Sequence, residues 1–175
     1  MGLAESPAGP SRALPGKADT GMSHTFTQLL YHIVFGTQYR EDLIDPDLRQ
    51  VLYPFLAALV RDERCSLLAV GGMQDHVHLL VRARPTVSLS DLLRVVKANS
   101  SRWVHERSAT PRRFGWQEGY AAFSVSGSAA GDVCRYIQNQ EEHHRRRSFE
   151  EEWVTLLERH GIEFDPANPF GGPPR

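Results

Sequence analysis

Apolar positions along the chain follow two periods in turn. Leu29 to Thr37 (Leu-Leu-Tyr-His-Ile-Val-Phe-Gly-Thr) is rich in β-branched and aromatic residues, which predicts a strand. Asp45 to Arg61 places Leu48, Val51, Leu52, Phe55, Leu56, Leu59 and Val60 at helical spacing. A second apolar run from Ser66 to Val70 ends at the Gly71-Gly72 pair, and Asp75 to Ala83 alternates well enough for a third strand, so the two predict a hairpin. Ser88, with Asp91 three residues on, reads as a capping-box variant opening a helix that carries Leu89, Leu92, Leu93, Val96, Trp103 and Val104. Gly119 to Ser126 predicts a fourth strand. One further helix is expected from about Ala129 to His144, and another from Ser148, where Glu151 completes a second capping box. The order β-α-β-β-α-β predicts an α+β, ferredoxin-like fold: one antiparallel sheet, two helices packed on one face, and two extra C-terminal helices.

The ends differ from this middle. The first 21 residues are crowded with Gly, Pro, Ala and Ser and lack apolar periodicity, which predicts a disordered leader over residues 1–22. Met22, followed by Ser-His-Thr-Phe, offers an alternative start to Met1. Residues 166–175 hold four prolines and read as an irregular tail, leaving residues 23–165 as the expected domain. No stretch approaches the roughly 18 apolar residues of a membrane helix, and no signal-peptide pattern opens the chain. Two cysteines, Cys65 and Cys134, form no C-x-x-C pair. The expectation is a soluble, cytoplasmic protein with reduced thiols and no membrane association.

Charge changes the picture through its distribution. A net charge of −1 does not single out a nucleic-acid binder. Yet Arg82 to Arg113 holds Arg82, Arg84, Arg94, Lys97, Arg102, Arg107, Arg112 and Arg113 against Asp91 and Glu106, while the stretch from Ser148 to Asp165 is acidic. A basic middle and an acidic end cancel in the sum and still leave a positive face for phosphates, although a mixed solvated surface gives the same counts.

The sharpest chemical signal is His76-Val77-His78. Side chains alternate along a strand, so both imidazoles point to one face and make half of a metal site, with Asp75 beside them as an orienting carboxylate. An H-x-H pair by itself also suits an ordinary edge strand. Tyr136 and Gln140 are four apart on the expected helix and share a face. A phenol with an ordinary pKa of about 10 is a poor nucleophile and needs an activating partner. The Gln140 amide oxygen is a neutral donor suited to a hard cation. His143 and His144, then Arg145-Arg146-Arg147, close this helix as dipole-complementing cations or phosphate contacts, and His144 lies one further turn along from Gln140.

Five segments in order carry a resemblance: Tyr31-His32-Ile33-Val34-Phe35, Gly72 to Leu80 around the His pair, Lys97-Ala98-Asn99-Ser100-Ser101, Trp116 to Ser126, and Tyr136-Ile137-Gln138-Asn139-Gln140. Together they resemble the single-tyrosine transposases of the IS200/IS605 type and their REP-associated relatives, over roughly residues 23 to 165. The resemblance implies a Mg²⁺ or Mn²⁺ ion held by His76, His78 and Gln140, polarising the scissile phosphate, with Tyr136 as the nucleophile. It implies a 5′-phosphotyrosine link, a free 3′-hydroxyl and strand transfer on single-stranded DNA with hairpins. Family members work as dimers, often with the tyrosine of one subunit against the His pair of the other, so a homodimer is expected. Arg94, Lys97, Arg102, Arg112, Arg113, Arg145 and Arg146 are the candidate DNA contacts, and His32, Trp103 and Trp116 read as structural.

The chain departs from these relatives at Gly36 and Gln38, where Ser and Lys are frequent, and at Gln74, where Pro is common. A domesticated relative acting on dispersed palindromes would share the same chemistry. A non-catalytic nucleic-acid-binding module would use Tyr31 and Phe35 for base stacking but would give the His pair and Tyr136 no task. A rolling-circle nuclease shares the His pair but often carries Lys three residues after the tyrosine, where this chain has Asn139.

Overall fold

A computed structural model describes residues 26–107 and 114–171. The expected leader over 1–22, Arg112 and Arg113, and the last four residues of the tail lie outside the described residues. The strands are β1 (Leu29–Gly36), β2 (Ser66–Gly72), β3 (His76–Ala83) and β4 (Ala121–Val125). The helices are α1 (Pro46–Asp62), α2 (Leu89–Arg107), α3 (Ala130–Gln138), α4 (Gln140–His144) and α5 (Phe149–Arg159). The sheet runs β2-β3-β1-β4, antiparallel at each junction, with α1 and α2 inserted as the β-α-β-β-α-β reading requires.

Alternation along the strands divides the core between the two faces. Ile33 and Phe35 of β1 with Val77, Leu79 and Val81 of β3 pack against α1 and α2 through Leu52, Leu56, Leu92 and Val96. The opposite face carries Val34 and Leu80, covered by Phe149, Trp153, Leu156 and Leu157 of α5 and by Ile137 of α3. Local chemistry starts the helices where expected. The Asp45 carboxylate accepts from Leu48 N at 2.7 Å ahead of Pro46. Ser148 and Glu151 form a complete capping box. At α2 the Ser88 hydroxyl accepts from Asp91 N at 3.1 Å but donates to Asp91 Oδ2 at 2.9 Å, so this box closes side chain to side chain.

Three boundaries depart from the sequence expectation. β4 is shorter than Gly119 to Ser126. β2 continues through Gly71 and Gly72 instead of ending at them, and the turn falls on Met73, Gln74 and Asp75. Glycine at 71 answers a close approach rather than a turn: a Cβ there would lie 1.9 Å from the Ile137 carbonyl oxygen of α3. The expected single helix from Ala129 to His144 is two, divided at Asn139, whose φ of −100° and ψ of 25° leave the helical range while Gln140 beyond it is buried. Among the described residues no helix is long and apolar enough to cross a membrane, and Cys65 and Cys134 are unbridged.

Candidate active site

The site sits on the face covered by α3, α4 and α5. Register with β1 sets His76 opposite Gly36 and His78 opposite Val34, in the middle of the sheet rather than at an edge. Gly71 lets the end of α3 press onto β2. Tyr136, one residue before the Ile137 carbonyl that makes this contact, therefore meets the histidines, with its ring 5.9 Å from that of His78 and 5.9 Å from that of His32. The sequence resemblance allowed a tyrosine facing either its own or the partner subunit's His pair; in the single chain Tyr136 lies beside the pair of that chain.

A buried carboxylate stands at the centre. Glu152 of α5 is 2% exposed, and His76, His78 and Gln140 are at or below 1%. Glu152 Oε2 lies 3.7 Å from His76 Nε2 and 3.4 Å from His78 Nε2, and the three ligand atoms fall within 4.8 Å of one another. Glu152 Oε1 accepts hydrogen bonds from the Tyr136 hydroxyl and from Gln140 Nε2, the latter at 3.1 Å. His144 Nε2 donates to Glu152 Oε2 at 2.9 Å, while its Nδ1 lies 3.0 Å from the Arg147 carbonyl. Both partners of His144 are acceptors, so each ring nitrogen faces a group that favours a proton on it.

The remaining ring nitrogens have dedicated partners. His76 Nδ1 is 2.7 Å from Asp75 Oδ1, as the sequence suggested, and His78 Nδ1 is 2.9 Å from Nε2 of the buried His32. Among the described residues five buried side-chain polar atoms lack a hydrogen-bond partner, and three of them are His76 Nε2, His78 Nε2 and Gln140 Oε1. An unpartnered buried polar atom is costly, and three in one site mark a place built for a ligand. Two imidazole nitrogens and a carboxylate oxygen, all within 4.8 Å of one another, fit a divalent cation, and Gln140, which turns its Nε2 toward Glu152, adds a neutral amide oxygen nearby.

Electrostatics follow from burial around Glu152. Burial opposes its charge, but the hydrogen bond from His144, the adjacent His78 and the Tyr136 hydroxyl outweigh it and hold the carboxyl well below the usual range. Burial first, then the Glu152 charge, pushes the Tyr136 phenol up. Burial lowers His78 to about 4 and His32 to about 3. Burial would also lower His144, but the Glu152 hydrogen bond and charge outweigh it and raise it.

The comparisons with known proteins concern this same stretch. Residues 25–140, more than half of the chain, match the family described as Transposase IS200 like. The chain belongs to the IS200-like transposase family. It is 25% identical over 132 residues to the ISDra2 transposase TnpA of Deinococcus radiodurans, covering 73% of this chain and 94% of that one. It is 26% identical over 127 residues to the transposase for insertion sequence element IS200 of Salmonella typhimurium, covering 70% of this chain and 83% of the relative. Among solved structures, a transposase described as putative from Deinococcus radiodurans superposes with a TM-score of 0.55 at 25% identity, over 70% of this chain and 98% of the other. The fold is shared with a REP-associated tyrosine transposase bound to a REP hairpin, at 13% identity and a TM-score of 0.54, over 69% of this chain and 72% of that one. The match for the IS200-like family ends at Gln140, so Glu152 and α5 lie beyond it.

The candidate DNA contacts of this transposase are dispersed. α2 packs across the sheet from the His pair, which separates Arg94, Lys97 and Arg102 from the site. Lys97 is the least available: its ammonium donates to the carbonyls of Gln117, Glu118 and Gly119 at 2.5, 2.9 and 3.1 Å, and burial lowers it to about 8. Arg94 pairs with Asp91, Arg102 bonds Asn99, and Arg145 pairs with Glu142 at 3.0 Å. Arg146 lies beside the site, along a cavity that Tyr136 also lines. Trp116 is structural as expected, its indole donating to Ser100 at 2.8 Å, whereas His32, expected to be structural, supports the site. Glu152 escaped the sequence reading because it sits in an acidic run. Its signal was position: it falls on the stripe Phe149, Trp153, Leu156 and Leu157, where α5 is otherwise apolar.

Proposed function

We propose that the chain is a metal-dependent endonuclease and strand transferase acting on single-stranded DNA, with Tyr136 as nucleophile and a Mg²⁺ or Mn²⁺ ion held by His76, His78 and Gln140, with Glu152 alongside. The observation that carries this reading is the coincidence of ligands and vacancies in hydrogen bonding: the three residues implied as ligands own the three unpartnered buried atoms of the site. When bound, the ion supplies positive charge that polarises the scissile phosphate and stabilises the leaving oxygen.

The chain's own residues do the rest. Asp75 and His32 engage the Nδ1 atoms, and in the tautomer that offers Nε2 both rings carry their proton on Nδ1. Glu152 tethers the Tyr136 hydroxyl beside the His pair and is the nearest acceptor for its proton. Burial and the neighbouring charge keep the phenol protonated at rest, so it yields its proton as the Tyr136 oxygen bonds to phosphorus. The bond from phosphorus to the 3′-oxygen breaks and that oxygen takes a proton from solvent, leaving a 5′-phosphotyrosine and a free 3′-hydroxyl. The phosphodiester energy is kept in the covalent link, and a 3′-hydroxyl attacking that link transfers the strand. One solved relative by fold is bound to a REP hairpin, and we take single strands carrying hairpins as the substrate class, with the chain working as a homodimer.

Incubation with labelled hairpin DNA and Mn²⁺, followed by a denaturing gel, tests this. Wild type gives a covalent adduct on single strands and none on duplex DNA; Tyr136→Phe gives none, and His76→Ala and His78→Ala lose it at least a hundredfold. An adduct formed equally by Tyr136→Phe would remove the mechanism.

A further inference from the structure

An open cavity of about 1370 Å³ lies between α3 and α4 on one side and α5 on the other, floored by β4 at the edge of the sheet. Tyr136 and Glu152 line it, so it opens onto the candidate active site. A small-molecule site needs roughly 300–1,000 Å³, so this space suits a length of polymer better than a single compact ligand.

Its charge is selective. Arg146, Arg147 and Arg159 line the cavity, and among the described residues none of the three lies within ion-pair distance of a carboxylate. The acids of the lining are already engaged: Glu142 by Arg145, Asp132 by Arg135, and Glu152 by the site itself. Three guanidiniums free of carboxylates are suited to phosphates. The cavity also offers an aromatic surface. His160 is fixed by a hydrogen bond from Nδ1 to the Leu156 carbonyl at 2.8 Å and stacks on Phe123 with ring centroids 4.2 Å apart, yet it is exposed. One face covered and the rest open is the form of a stacking platform for a base.

We propose that this cavity is a second DNA subsite, holding the unpaired nucleotides that adjoin the scissile phosphate, with the three arginines on their phosphates and His160 beneath a base. It rests on the nuclease reading for its substrate and adds where the flanking strand runs. Arg146, Arg147, Arg159 and His160 all lie beyond Gln140, where the match to the family ends.

The test measures binding by fluorescence anisotropy in EDTA, using one hairpin with an unpaired flank and the same hairpin without it. Wild type binds the flanked DNA more tightly. Arg159→Ala and the pair Arg146→Ala with Arg147→Ala weaken flanked binding roughly tenfold and lower the salt slope by about one per arginine, with the flankless hairpin unchanged. His160→Ala weakens a flank of normal bases but not an abasic one. Thr155→Trp, which narrows the cavity without altering charge, gives the same selective loss, and thermal melts check that each variant is folded. Equal loss on both DNAs, or loss on neither, overturns the subsite. Flank-dependent binding without a covalent adduct in the Mn²⁺ assay supports the subsite and sinks the nuclease reading instead.

Discussion

Asp75 engages His76 through Nδ1 and His32 engages His78 through Nδ1, and these two contacts are what leave both Nε2 atoms free toward Glu152. Removing an orienting partner of this kind typically lowers metal affinity about 10–100-fold. His32→Phe is expected to weaken Mn²⁺ binding by that amount in calorimetric titration, while His32→Gln, which keeps an acceptor, retains most of it; equal affinities would show His32 to be filler. The same two rings set a pH dependence. Burial lowers His32 to about 3 and His78 to about 4 from an unfolded value of 6.5. Between 6.5 and those values the unfolded chain binds protons that the fold refuses, so stability is full above 6.5 and falls with falling pH. His144, shifted upward, contributes in the opposite sense. Melting of the metal-free protein should drop by several degrees from pH 7.5 to 4.5, and less steeply in His32→Phe. Sequence made the His pair legible because a strand's period of two is rigid. Glu152 was hidden because a three-residue acidic run resembles a solvated helix start, and only α5's apolar stripe marks it as buried.

At the scale of elements, Gly71 decides where the nucleophile stands. Gly71→Val drives its side chain into the Ile137 carbonyl and should lift α3 from β2, costing about 1–3 kcal/mol in a chemical melt. Adduct formation should fall much further, because Tyr136 moves with the helix. A variant as active as wild type would mean α3 is not positioned by this contact. The strands and helices themselves were readable from periodicity, and the capping residues Asp45 and Ser148 marked two starts. The glycine pair reads in the sequence as the end of β2 because close approach between elements leaves no local signature. The break at Asn139 was equally silent: Arg135 and Asn139 still accept from residues four ahead, so the spacing looks unbroken.

For the whole molecule, the antiparallel sheet with two helices on one face followed from the β-α-β-β-α-β pattern, whereas the covering of the other face by the C-terminal helices, and their depth in the site, did not. Nucleophile and donors meet within one chain, so mixing Tyr136→Phe protein with His76→Ala protein should restore no adduct; recovery on mixing would mean that sites are shared between copies. The short α4 has a consequence for heating. Five residues are too few to be helical alone, and Gln140, His143 and His144 all lean on Glu152. This turn is thus propped by the chemistry it serves, and its local opening is cheaper than unfolding the sheet. Warmed gradually, the protein should stop cutting DNA at a temperature where its circular dichroism is still that of the native fold: a fuse that blows before the frame gives way.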